Sequence, residues 1–320
     1  MGKLAATTTL AIVAWSGFAA AQDYPARPIR LVVGFTPGGT TDFMARLLAD
    51  KLRGQLGQTV FVENKPGANG AIGAELVAKS EPDGYTLYFT TAGVAAVYPH
   101  LRPAPYDTLR DFAPVGLVAF NSTMLVVNAA MPVRSAQELA TLARANPGKI
   151  TLAITAIGSV SHLGLVLYQA AAGAQFQQVP YRGASQAMTD VLGGQLNGLF
   201  GDGPTVIGHV RAGRIRALAA TSQKRSDAFP DVPTFVEQGF ADTVADQWAG
   251  VLAPARTPPE AIAKLNAGIV AVMNDPEVRG KLKETGTTPS PGTAEEFGQY
   301  LRTEYTRWGR IIREKGIKGE

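Results

Sequence analysis

The 320-residue chain contains no cysteine. That excludes disulfides, thiolate nucleophiles, iron–sulfur clusters and every zinc site built on cysteine. Histidine is nearly as scarce: His100, His162 and His209 are the only three, and neither their spacing nor their context fits a metal motif. No cofactor and no metal is expected. Basic runs interleaved with aromatics are missing and the formal net charge is only +4, which argues against nucleic acid as a partner. Beyond the N-terminus no segment reaches the about 18 consecutive apolar residues of a membrane span. What is present is ordinary for a folded chain: 46% hydrophobic and 18% charged residues, with 35 Gly and 21 Pro dispersed. The length suffices for two medium domains.

Met1-Gly2-Lys3 gives a short positive start, Leu4 to Ala20 carries no charge, and Ala19-Ala20-Ala21 supplies the small residues a signal peptidase reads. This is the layout of a secretory signal peptide over 1–21, with a mature chain from Gln22 in the periplasm. A membrane anchor is the other reading; Thr7, Thr8, Thr9 and Ser16 weaken it.

Ile29, Leu31, Val33 and Phe35 alternate as in a strand, and Asp42 can cap a helix bearing Met44, Leu47, Leu48 and Leu52. Strand and helix keep alternating to Pro99, and again from the capping box at Ser135 and Glu138. Between the two series come two adjacent strands, Val115–Phe120 and Met124–Asn128, with no helix separating them. A last strand over Trp248–Ala253 precedes a stretch that reads as helical to the end. Its final helix opens with Thr293-x-x-Glu296 and carries Phe297, Leu301, Tyr305, Trp308 and Ile312 as an apolar stripe suited to packing on a sheet. The expectation is an α/β fold of two domains, each a mostly parallel sheet flanked by helices, with the chain crossing twice. Domain 1 comprises 22–121 and 247–320, and domain 2 comprises 122–246. Facing carboxyl ends of two such sheets make a cleft for a small molecule.

At those ends lie four turns of small residues: Phe35 to Thr41, Thr90 to Gly93, Ala156 to Ser161 and Tyr181 to Ser185. Each joins free backbone N–H groups to the positive end of a helix, and four together point to an anion. Gly34-x-x-x-x-Gly39-Thr40-Thr41 imitates a P-loop, but Thr40 stands where the phosphate-binding Lys belongs, and no dinucleotide fingerprint is present. Carboxylates remain by elimination. Gly183-x-Ser185-x-Ala187 resembles a nucleophile elbow, so an exported serine hydrolase using Ser185 and His209 is the alternative; helix capping by Ser185 is the plainer reading. His162 reaches either a ligand or its own loop. Asp202 either accepts a bond from a ligand or caps the next helix. Arg182 reads as a surface charge and Trp248 as core.

Several phrases resemble one family. They are Tyr24-Pro25-Ala26-Arg27-Pro28-Ile29 with Pro37-Gly38-Gly39, Val62-Glu63-Asn64-Lys65-Pro66-Gly67, Pro82-Asp83-Gly84-Tyr85, and Val179-Pro180-Tyr181-Arg182-Gly183. Ala212-Gly213-Arg214, Phe229-Pro230-Asp231-Val232-Pro233 and Ala253-Pro254-Ala255 follow in order, so the likeness covers the whole mature chain. It is similar to the Bug family, the periplasmic solute receptors of tripartite tricarboxylate transporters. The resemblance implies a monomeric two-domain periplasmic binding protein of the Venus-flytrap type. It has no catalytic residues, and it hands a carboxylate to a membrane permease or, liganded, docks on a sensor. Carried over residue by residue, it places Phe35, Pro37, Gly38, Gly39, Thr40, Thr91 and Ala92 on the first side of the ligand. Gly158, Ser159, Gly183, Ala184 and Asp202 face them, with His162 beside the Gly158 turn. Family ligands range over acidic amino acids, citrate-like acids and aromatic carboxylates. Ala92-Gly93-Val94-Ala95-Ala96 departs from the more polar family pattern there and favours a less polar ligand.

Overall fold

A computed structural model describes residues 24–155, 157–181 and 184–318. The signal peptide expected over 1–21, Arg182 and Gly183 lie outside the described residues. The chain begins with β1 (Ile29–Val33), α1 (Thr40–Leu56), β2 (Val60–Asn64), α2 (Ala71–Ala78) and β3 (Thr86–Thr91). A π-helical turn at Gly93–Val97 runs into the short α3 (Tyr98–Leu101), and β4 (Phe112–Asn121) leads out of this first sheet. The second sheet opens with β5 (Thr123–Asn128). Then come α4 (Ala136–Ala145), β6 (Thr151–Ile154), α5 (Val160–Ala172), β7 (Gln177–Pro180), α6 (Ala184–Leu192), β8 (Gly198–Asp202), α7 (Gly203–Arg211) and β9 (Ile215–Ala220). The strand β10 (Gln247–Pro254) returns to the first sheet, followed by α8 (Pro259–Asn274), α9 (Pro276–Glu284), β11 (Thr287–Pro289) and α10 (Ala294–Glu314).

The result is two α/β domains, one around each sheet. The first sheet has the order β11-β4-β10-β3-β1-β2 and the second β7-β6-β8-β5-β9. Parallel pairing holds within the crossover units, where β1 pairs with β2 and β3, and β6 with β7 and β8. Both sheets are nevertheless mixed, so the parallel share is smaller than the strand–helix alternation predicts. The reason is where the crossing strands enter. Gln247 of β10 lies beside Asn121, and Ala249 faces Thr91 at the carboxyl end of β3, so β10 must run against β3 and β4. By the same logic Thr123 starts β5 opposite Asp202, the end of β8.

Period-2 alternation sorts β1 between two cores. Leu31 and Val33 pack with Met44, Leu48 and Leu52 of α1 and with Leu265 and Ile269 of α8. Val32 joins Tyr88, Trp248 and the stripe Phe297, Leu301, Trp308 and Ile312 of α10 on the other face. Full burial of such side chains stabilises by roughly 1.5–3 kcal/mol each. The same cluster takes in Val160, Leu163 and Leu167 of α5, so a helix of the second domain packs on the first.

Two local expectations need correction. Gly39, not Asp42, is the N-cap of α1; Asp42 sits in the first turn, where its carboxylate serves a loop N–H. The stretch after Trp248–Ala253 is not wholly helical, because Thr287–Pro289 adds an edge strand against β4. Among the described residues no helix is long and apolar enough to cross a membrane.

Candidate functional site

A cavity of about 310 Å³ lies where the carboxyl ends of β1 and β3 face those of β6 and β8. Four helices begin at its wall: Thr40 and Thr41 open α1, Ser159 to Ser161 open α5, Ala184 and Ser185 open α6, and Asp202 precedes α7. Their first-turn N–H groups and aligned dipoles make the wall electropositive. Among the described lining residues there is no Lys or Arg, and Asp202 is the single charged one.

Three polar atoms of the wall are buried and have no hydrogen-bond partner among the described residues: Thr91 Oγ1, Gln247 Oε1 and Trp248 Nε1. Thr91 is 2% exposed and Trp248 fully buried, so bulk water does not serve them. Native proteins leave few such groups, and each calls for a partner. Opposite them is a hydroxyl cluster. Thr155 Oγ1 lies 2.9 Å from Ser161 Oγ, which lies 2.8 Å from Ser159 Oγ, and Ser159 Oγ accepts the His162 backbone N–H. Hydroxyls of this kind donate or accept as the ligand demands.

Other expected residues shape the wall from outside it. Gly38 adopts φ +87° and donates its N–H to Asp42 Oδ2 at 3.0 Å. Asp42 also accepts from Arg46 Nε at 2.9 Å and Asn64 Nδ2 at 2.8 Å. Burial by itself would raise its carboxyl, but the bonds from Arg46, Gly38 and Asn64 outweigh burial and hold it at about 2. Asn64 reaches on to the Phe35 carbonyl at 3.0 Å, so one buried carboxylate fixes the whole 35–39 loop. Phe35 is half-buried against the cores, Pro37 and Gly39 are exposed on the loop, and Ala92 is fully buried. None of these five loop and strand-end residues reaches the cavity surface.

His162 is also behind the wall. Its Nδ1 accepts the Gly158 N–H at 2.9 Å, and burial lowers its pKa, which keeps that nitrogen free to accept. It holds Gly158 at φ +79°. A Cβ at Gly158 would come within 2.4 Å of Leu101 Cδ1 in α3, so the first domain seats directly on this turn. Asp202 spans the cleft as well: its Oδ2 accepts from Thr40 Oγ1 at 3.4 Å and its Oδ1 from Thr205 Oγ1. Of the expected set, the cavity thus gathers Thr40, Thr91, Ser159, Ala184 and Asp202. Ser185 joins them, but His209 lies in the last turn of α7, about 9 Å along the helix from its cleft end. No histidine lines the cavity among the described residues.

Sequence reasoning passed over Gln247; Trp248, read as core, is fully buried in the core beneath α10 and also borders the cavity. Sequence reasoning also missed Asn121 and Thr123, which form the floor, Asn121 accepting the Gly203 N–H at 3.2 Å. The available signal was topological: segments by which a chain crosses between two sheets must floor the cleft between them. Among the described residues no group of three or more acidic or histidine side chains could hold a metal ion.

Comparison with known proteins agrees with this geometry. Residues 44–317 match the family described as tripartite tricarboxylate transporter family receptor. The chain is 40% identical to protein BugT of Bordetella pertussis over 311 residues, 96% of this chain and 95% of that one. The solved structure of R. palustris Rpa4515 with adipate has 34% identity and a TM-score of 0.82, covering 93% of this chain and 100% of its own. MatC from Rhodopseudomonas palustris with bound malate gives 28% identity and a TM-score of 0.77, covering 90% and 100%. On a match that runs through both sheets, the chain belongs to the tripartite tricarboxylate transporter receptor family.

Proposed function

We propose that this protein is an extracytoplasmic receptor that binds a small carboxylate in the cleft and delivers it to a tripartite tricarboxylate-type permease, working in the periplasm. The observation that carries the reading is the cavity wall itself. Four helix N-termini and the buried Thr91 Oγ1, which has no partner among the described residues, gather at a wall whose described residues include no cation to bind an anion by charge. Such a site neutralises one carboxylate with dipoles and neutral hydrogen bonds. Asp202, an acceptor on the same wall, suits a ligand that also offers a hydroxyl or ammonium, or a second group held away from it. Adipate bound to one relative and malate to another are consistent with the class. Thr40, Thr91, Ser159, Ala184 and Asp202 are the proposed contacts, with Gly38, Gly158 and His162 holding the turns that present them.

A thermal-shift screen of the purified protein against mono-, di- and tricarboxylates, aliphatic and aromatic, tests this. A ligand at 100 times its dissociation constant adds about 2.7 kcal/mol, which raises the midpoint of a protein of this size by several degrees. A shift confined to one carboxylate class supports the receptor reading. Folded protein, freed of carried-over ligand and unmoved by every acid, rules it out for that panel. Turnover of ester or amide substrates that is lost in Ser185→Ala would favour the hydrolase instead.

A further inference from the structure

A second recess, of about 1020 Å³, lies between α5 and α10, one ring removed from the cleft. Tyr300 lines it and meets Trp248 of the cleft wall at a ring-centroid distance of 5.8 Å. Nothing in the transport reading uses it. Both domains build its sides: Leu167 and Ala171 come from α5 and Ile311 from α10, all apolar. Phe120 and Tyr300 add an edge-to-face ring pair with centroids 5.6 Å apart.

The floor is polar. Ser222 is 8% exposed and its Oγ has no hydrogen-bond partner among the described residues; Asp246 Oδ1 is likewise buried and unpartnered. Glu304, itself 6% exposed, stands near Asp246 and is held by Arg307 and by the Trp308 indole N–H. Burial first, then repulsion from Glu304, push the Asp246 carboxyl up to about 7, against the Gln223 backbone N–H and Arg307. Of the basic side chains around the recess, Arg225 is bonded to Glu237 and Arg307 to Glu304, while Lys224, Arg310 and Lys315 are exposed and screened by solvent.

A buried carboxyl with a free oxygen, a free hydroxyl and two aromatic rings between apolar sides form a recognition set for an organic cation. An ammonium group supplies the donors both oxygens lack and offsets the crowding of two carboxyl groups. We propose that this recess is a second binding site, taking an alkylammonium whose –NH₃⁺ seats on Asp246 and Ser222 and whose chain lies along Leu167 and Ala171. An occupant held by both domains would resist their relative movement.

Calorimetric titration of the purified protein with hexylammonium chloride at pH 8, and with 1-hexanol as the neutral match, tests the site. Saturable hexylammonium binding is expected, at least tenfold tighter than hexanol. Asp246→Asn should weaken it at least tenfold, and Ala171→Phe, at an exposed position on α5, should abolish it by filling the recess. Unfolding midpoints are measured alongside; should Asp246→Asn not fold, Ser222→Ala takes its place with a several-fold loss expected. No binding by folded wild type, hexanol binding as tightly as hexylammonium, or undiminished binding in the folded variants overturns the proposal.

Discussion

Thr91 shows how a single side chain can be set for a ligand at the expense of the protein that carries it. Its hydroxyl is buried at the end of β3 with no partner among the described residues, although a valine would fill the same volume without the unmet polar group. Thr91→Val is therefore expected to leave stability unchanged or raise it by up to about 1 kcal/mol, while weakening the best carboxylate of the screen about tenfold. Denaturant titration and calorimetry on the same preparation read both signs; a variant that loses stability and keeps affinity would assign Thr91 to the scaffold. Asp42 is expected to behave in the opposite way. Its carboxylate takes bonds from Gly38, Arg46 and Asn64, which lower its pKa to about 2, so its contribution is complete above the usual carboxylate range and fades as pH falls from about 4 towards 2. Asp42→Asn should cost about 1–3 kcal/mol at pH 7, and the gap to wild type should narrow between about pH 4 and 2 in urea titrations. A gap constant with pH would mean that shape, not charge, holds the loop.

At the scale of elements, the turns between strand and helix carry both the legible and the illegible parts of this protein. Their positions could be read, because strand alternation stops and helical spacing starts across a few small residues, and α1, α5, α6 and α7 begin within a few residues of where that reading puts them. Which turn residues would touch the cavity could not be read, since Gly38 and His162 act on neighbours of the wall rather than on its surface. Gln247 was hidden for a different reason: on a strand, facing a cleft and facing a core look alike in sequence. Gly158 is the turn residue whose type is set by contact as well as by backbone. It stands at φ +79°, and Leu101 of the first domain occupies the space a methyl group would need. Gly158→Ala should cost about 1 kcal/mol from backbone strain and, in addition, lower ligand affinity by keeping the domains apart. Adding Leu101→Ala should restore most of the affinity and none of the strain. If the double variant binds no better than the single, the steric account of the α3 contact fails.

For the whole molecule, the mixed sheets follow from the crossing strands, and those strands also decide what can move. The α/β class and the two series of units were legible because alternation is a long-range pattern; the antiparallel insertion of β10 between β3 and β4 was not, because no local residue encodes which end of a sheet a strand enters from. The chain passes between the two sheets near Asn121–Thr123 and before Gln247, and closure draws on contacts made across the cleft, among them Thr40 Oγ1 to Asp202 Oδ2 at 3.4 Å. A neutral donor at that distance is worth no more than about 1 kcal/mol, so Thr40→Val should weaken binding by roughly fivefold or less. Asp202→Asn separates latch from recognition. Its amide oxygen still accepts from one of the two threonine hydroxyls and its NH2 can donate to the other, while the negative charge on the wall is gone. A simple monocarboxylate should then bind several-fold tighter, because like-charge repulsion is removed, and an acid with a hydroxyl or ammonium aimed at Asp202 should bind weaker. Small-angle scattering should show the liganded variant as compact as wild type. Equal effects on both kinds of acid, with a larger radius of gyration, would mean instead that Asp202 serves closure alone and that selectivity resides in the neighbouring hydroxyl cluster of Thr155, Ser159 and Ser161 on the same side of the cleft.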